Sequence, residues 1–220
     1  MRVRFDPSAL AAFGNPRRWP APLQAAWSRR GLLVCRDPAA VFAWPCRLWR
    51  VRHLENLYSS DLATLMWLRC DSFEVIEELP GWRTFGPHGD AVADLITQAE
   101  QISQAQVDAI AAIDAGQEWQ VRLAFLDRWR SRQPDGPHLL EPAGWGGLHI
   151  NAAIECVPAR TGQHLFGWDE SPGDWPVLID PTWLSAYRAA IAKMTAVSAP
   201  DLMSNREMQI LSSRWDSVVG

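Results

Sequence analysis

Residues 90–132 read DAVADLITQAEQISQAQVDAIAAIDAGQEWQVRLAFLDRWRSR, and their periodicity decides the fold class. Val92, Leu95, Ile96 and Ala99 recur at the spacing of one helix face, which predicts a helix over 90–101. Ser103-Gln104-Ala105-Gln106 has the form of a capping box. It predicts a second helix running through Ala115 and stopped by Gly116. From Glu118 to Arg132, Trp119, Leu123, Leu126 and Trp129 fall at helical spacing, with Arg122, Arg128, Arg130 and Arg132 elsewhere. That stripe is expected to face the core.

Toward the C-terminus, residues 133–147 (QPDGPHLLEPAGWGG) hold three Pro and four Gly, the strongest boundary signal in the chain. The apolar Leu139, Leu140 and Trp145 favour a long ordered loop over a linker. Leu148 to Val157, ending at Pro158, reads as a strand, and short strands are expected at 164–168 and 176–179. Asp180-Pro181 is an N-cap and first-turn pair for a helix over 182–196. Ser204-Asn205-Arg206-Glu207 is a second capping box, opening a last helix to about Val218.

Toward the N-terminus, 80–89 (PGWRTFGPHG) is turn-rich, and Phe73, Val75 and Ile76 place a strand over 72–79. Leu57, Tyr58, Leu62, Leu65 and Met66 fit a helical stripe, so helix or loop is expected up to about 68. The alternation in 46–54 (CRLWRVRHL) reads as a strand. Residues 15–22 (NPRRWPAP) are a Pro-rich connector, and a short helix is expected over 22–30. These elements give an α+β fold with a small mixed or antiparallel sheet and five to six helices. The length of 220 residues suits a single globular domain, 1–220, with a possible subdivision into 1–132 and 148–220.

Composition narrows the class. Apolar residues make up 48% of the chain and charged residues 21%, enough for a sizeable core. No stretch approaches the ~18 apolar residues of a membrane span. Ala9 to Phe13 is too short for a signal sequence and follows Asp6 and Pro7. The expectation is a cytoplasmic protein with no membrane partner. Cys35, Cys46, Cys70 and Cys156 include no C-x-x-C pair and are expected to be small buried thiols in a reducing compartment.

Charge is unevenly spread. Residues 1–52 carry ten Arg and two Asp, a net charge of +8. Residues 53–118 carry two Arg and twelve acids, a net charge of −10, and the remainder carries −2. The simpler reading pairs the basic segment with the acidic one inside the fold. The sharper reading presents Arg17, Arg18, Trp19, Arg29, Arg30, Arg47, Trp49, Arg50 and Arg52 to single-stranded nucleic acid, with arginine on phosphate and tryptophan stacked on bases.

Catalytic motifs are lacking. There is no G-x-S-x-G, no H-E-x-x-H and no Walker loop around the single Lys193. Gly144-Trp145-Gly146-Gly147 reads as a tight turn with positive φ. A metal site from His149, His164, Glu155 and Asp169 would need two strands to pair, and no metal or cofactor is expected. His149 and Cys156, on one strand, would lie on opposite faces and too far apart to act together.

Thirteen Trp remain to be explained. Trp joins a large apolar body to one N–H donor, the profile of a contact anchor. Trp168, Asp169, Glu170, Asp174 and Trp175 place three acids between two Trp in a turn-rich loop, which marks a candidate protein-binding surface. The leading expectation is a non-enzymatic binding or regulatory protein with a protein partner. Nucleic-acid binding through 17–52 is the alternative. An enzyme whose site is assembled from distant residues is the third reading.

Overall fold

The computed structural model describes residues 32–35, 44–53, 57–59, 67–70, 73–132, 141–161, 166–168, 176–178 and 180–220. Their contacts group into two units, Met1–Pro87 and His88–Gly220. The architecture is α+β. Every strand pairing among the described residues is antiparallel, spread over three small sheets.

The first unit holds β1 (Leu32–Cys35), β2 (Leu48–His53), β3 (Leu57–Ser59), β4 (Trp67–Cys70) and β5 (Phe73–Leu79). One sheet has the order β1-β4-β3 and a second pairs β2 with β5. The strands expected over 46–54 and 72–79 both form. The helix or loop expected up to about 68 is overturned at Leu57–Ser59 and Trp67–Cys70, which are strands, while 60–66 lie outside the described residues. Fragments this short carry no decisive period, and β4 gains a partner on each edge only as a strand. The helix expected over 22–30 and the connector at 15–22 lie outside the described residues.

A 3₁₀ helix, Gly81–Phe85, replaces the expected run of turns. It buries Phe85, whose ring centroid lies 4.9 Å from that of Trp44; Trp44 itself precedes a cis Pro45. Gly81 is required here, because a Cβ on it would stand 2.3 Å from the carbonyl oxygen of Cys46.

The second unit holds α1 (Gly89–Gln101), α2 (Gln104–Ala112), α3 (Glu118–Ser131), α4 (Gly144–Thr161), α5 (Pro181–Ser198) and α6 (Asn205–Asp216). It also holds the paired strands β6 (Phe166–Trp168) and β7 (Pro176–Leu178). Val92, Leu95, Ile96 and Ala99 of α1 are all buried, as their spacing requires. Both capping boxes form with reciprocal bonds, Ser103 with Gln106 and Ser204 with Glu207. Helix α2 ends at Ala112, short of the expected Ala115. Ile113 turns extended, and the Asp114 side chain accepts from the Gly116 amide at positive φ.

The region 144–157 departs most from expectation. The strand expected over 148–157 is part of α4, and the Gly144-Trp145-Gly146-Gly147 run is its first turn. Positive φ falls on Ala143, one residue earlier. Ile150, Ala153 and Ile154 are buried at i, i+3 and i+4, a helical period that Pro158 had masked as a strand end. Gly147 faces α5: a Cβ on it would make ordinary contact with Ile191 Cδ1 at 3.4 Å and Met194 Cε at 3.6 Å.

Helix α5 is the hub and packs against all five other helices. Its alanines make this possible: Ala186, Ala189, Ala190, Ala192 and Ala196 are buried and let neighbours approach closely. Asp180 caps it, its carboxylate accepting from the amides of Thr182 (2.9 Å) and Trp183 (3.3 Å). The Thr182 hydroxyl and these amides hold the Asp180 carboxyl below its ordinary range, and the Ser204 amide does the same to Glu207 in α6. A carboxyl depressed in the folded state stabilises above its unfolded pKa, and that gain is lost as pH falls through the folded value. Asp180→Ala is expected to cost about 1 kcal/mol at neutral pH. The gap to wild type should close on acidification, as thermal denaturation across a pH series would record.

Candidate functional site

Helix α3 does not sit as its apolar stripe predicts. Trp119 is 59% exposed and Leu123 42% exposed, whereas Phe125 and Leu126 are buried and Trp129 is partly so. Expecting the whole stripe in the core is therefore wrong for its first two members. At about 100° per residue, the inward face is rotated roughly 70° from the stripe's centre. Glu118 is part of that inward face.

That face carries a buried ion pair that sequence reading missed. Glu118 and Arg214 are 7% and 5% exposed. Arg214 donates from Nε to one Glu118 oxygen at 2.8 Å and from Nη2 to the other at 2.9 Å. Its Nη1 donates to the Ser185 hydroxyl at 3.0 Å, and Nη2 also reaches the Ser185 carbonyl at 3.4 Å. Two-point pairing of this kind is the strongest geometry open to a guanidinium. It joins the first turn of α3 to the last turn of α6 and the second turn of α5.

The outward side of α3 carries the exposed apolar surface. Trp119 and Leu123 are one turn apart, and the Arg122 guanidinium lies 5.9 Å from the centre of the Trp119 ring. Arg122 is held by both oxygens of Glu141, at 3.1 and 2.9 Å. Exposed Ile113 precedes this turn, so three of the four exposed large apolar residues described in this unit fall within residues 113–123.

The fourth, Leu148 of α4, is 59% exposed and shares a helical face with Asn151 and Glu155. Asn151 donates to the Glu155 carboxylate, and burial pushes that carboxyl above its usual range against the bond. Burial likewise raises the Tyr187 phenol; Arg122 opposes this, while Glu141 and Glu155 add to it.

His149 and Cys156, expected on opposite faces of a strand, lie two turns apart on one face of α4. A rise of roughly 10 Å keeps them beyond hydrogen-bond reach. Cys156 is exposed rather than buried, and Cys46 is half-buried, with burial raising its thiol to about 11. At pH 8 a thiol reagent is expected to label Cys156 well before Cys46, and peptide mapping over a time course would record the order. Among the described residues, no group of His, Cys, Asp or Glu could hold a metal ion.

The basic and acidic segments meet in the β2–β5 ribbon. Arg47 pairs with Glu78 at 2.7 Å, Arg50 with Glu77 at 2.9 Å, and Arg52 with Glu74. Cross-strand register sets Trp49 opposite Glu78 and Arg50 opposite Glu77, and a bulge follows Arg50. Arg47 also lies 4.7 Å from the centre of the Trp49 ring. Its bond holds the Glu78 carboxyl below its usual range. The remaining candidates for nucleic acid, Arg17, Arg18, Trp19, Arg29 and Arg30, lie outside the described residues.

Of the Trp-flanked acidic segment, Trp168 ends β6 with Pro176 as its cross-strand partner. Asp169, Glu170, Asp174 and Trp175 lie outside the described residues. No helix among the described residues is long and apolar enough to cross a membrane. No family model matches the chain, and neither a curated protein nor a solved structure matches it.

Proposed function

We propose that this chain is a binding protein that engages a protein partner through tryptophan-anchored surfaces, with the outward face of α3 as its principal anchor. The observation that carries this reading is the 59% exposure of Trp119 beside Leu123, with a guanidinium over the ring. Trp and Arg are the residues most enriched where interface energy concentrates, and an apolar pair at i, i+4 is how a helix fills a partner's groove. A solvated Trp gains most from being covered, because its whole ring is then withdrawn from water. The segment 168–175, with Trp168 and Trp175 around three acids, is the second proposed anchor.

Protein binding stands ahead of nucleic-acid binding because Arg47, Arg50 and Arg52 are already neutralised by Glu78, Glu77 and Glu74. A phosphate backbone would have to displace those carboxylates before releasing its counterions.

The test is affinity capture from source cells with three baits: wild type, Trp119→Ala with Leu123→Ala, and Trp168→Ala with Trp175→Ala. A protein held by wild type and lost from one variant with unchanged melting supports the reading and locates the anchor. Equal capture by all three baits overturns it.

A further inference from the structure

Helices α3 and α4 both pack against α5 and make at most marginal contact with each other. Among the described residues this leaves a groove between them, with α5 as its floor. Arg214 ties Glu118 to Ser185, and Val121 packs on the cluster of Ala192, Ala196 and Leu211, so α3 runs the same way as α5. Gly147 faces Ile191 and Met194, whereas Glu155 lies within electrostatic reach of Tyr187, so α4 runs the opposite way. Trp119 and Glu155 therefore flank the same end of the groove, on either side of Tyr187. The Arg122–Glu141 pair spans it further in.

The charges along this groove are unevenly matched. Arg122 and Glu141 satisfy each other through two bonds. Arg188, next to Tyr187 on α5, is exposed and solvated by water. Glu155 is half-buried and accepts from the neutral Asn151 amide, and among the described residues no cation pairs with it. The upward push of burial on its carboxyl expresses the same deficit. Such a carboxylate bears part of its desolvation cost without the counter-charge that would offset it. An incoming cation gains more there than at an exposed acid, because less water has to be removed on docking. Across the groove the exposed Trp119 ring calls for an apolar cover.

We propose that this groove takes a segment of the protein partner that lays an apolar side chain on Trp119 and sets a lysine or arginine against Glu155, with the Tyr187 hydroxyl as a second acceptor. The inference rests on the protein-binding reading above and adds the partner's charge to it. Charge complementarity selects this occupant: an acidic segment would meet an uncompensated carboxylate of its own sign, and like charges at an interface are strongly disfavoured.

The probe is a phage-displayed library of random peptides selected on the wild-type protein. Recovered peptides are expected to share a basic residue at a fixed spacing from an apolar one. One of them is then made synthetically and titrated calorimetrically. Affinity should fall at least about tenfold with Glu155→Gln, and equally when the peptide's basic residue becomes norleucine. Both changes together should cost little more than either alone, because they remove the same contact.

Glu155→Gln is expected to melt at or above the wild-type temperature, since Gln still accepts from Asn151 and leaves no charge half-buried. A clear drop in melting assigns the carboxylate to the fold and overturns the proposal. A library that yields no peptide dependent on Glu155 overturns it as well. Peptides that need Trp119 and not Glu155 leave the binding reading standing and sink this inference alone. Peptides that need Glu155 and not Trp119 sink the α3 anchor, and with it the apolar half of the proposed contact.

Discussion

Arg214→Ala is expected to destabilise the helical unit by about 3–5 kcal/mol, because it strands the Glu118 carboxylate in a site where, among the described residues, no other cation is bonded to it. The pair is nearly dry, at 5% and 7% exposure. Its attraction is therefore little screened, but neither is the cost of leaving one partner alone. Glu118→Ala should cost a similar amount for the mirror reason. Replacing both by apolar residues of like volume should recover most of the loss. Denaturant titration of the single and double variants measures this directly. Lys193–Asp216 supplies the contrast: its side chains are 23% and 47% exposed, and removing it should cost no more than about 1 kcal/mol.

Trp215→Ala is the second large effect, about 3–5 kcal/mol from the lost transfer energy and the cavity left behind. Trp215 is fully buried one residue after Arg214, and its indole N–H donates to the Gln98 side-chain oxygen at 3.0 Å. That bond ties α6 to α1 across 117 residues of sequence. Trp215→Phe keeps much of the volume and should cost far less than the alanine variant. A Phe loss as large as the Ala loss would move the weight from packing to the Gln98 bond. Both numbers come from the same denaturation experiment.

What could be read from the sequence was local. The four-residue face of α1, the two capping boxes and the Asp180-Pro181 start depend on residues three or four apart, and each formed as expected. The misread elements were settled by distant partners. Residues 148–157 carry a helical period in Ile150, Ala153, Ile154 and Val157, but Pro158 and the glycines suggested a strand between turns. The packing of that face against α5 has no local signature. The pairing of Leu57–Ser59 with β4 likewise has no local signature.

The candidate site was less legible than the fold. The stripe of α3 was visible, but its inward face also carries a buried ion pair whose members are 96 residues apart. One signal could have raised it: Arg214 lies between Leu211 and Trp215 on the inward face of α6, where a lone cation needs a counter-charge. The opposite charges of residues 1–52 and 53–118 hinted at pairing. The ladder Arg47–Glu78, Arg50–Glu77, Arg52–Glu74 joins the two within one ribbon.

The decisive measurement is a calorimetric titration of the captured partner against wild type and against Trp119→Ala with Leu123→Ala. The account predicts affinity weaker by at least about thirtyfold, some 2 kcal/mol, with an unchanged melting temperature. Equal affinity for the two proteins would contradict it, and would leave the outward face of α3 as exposed surface without a binding role.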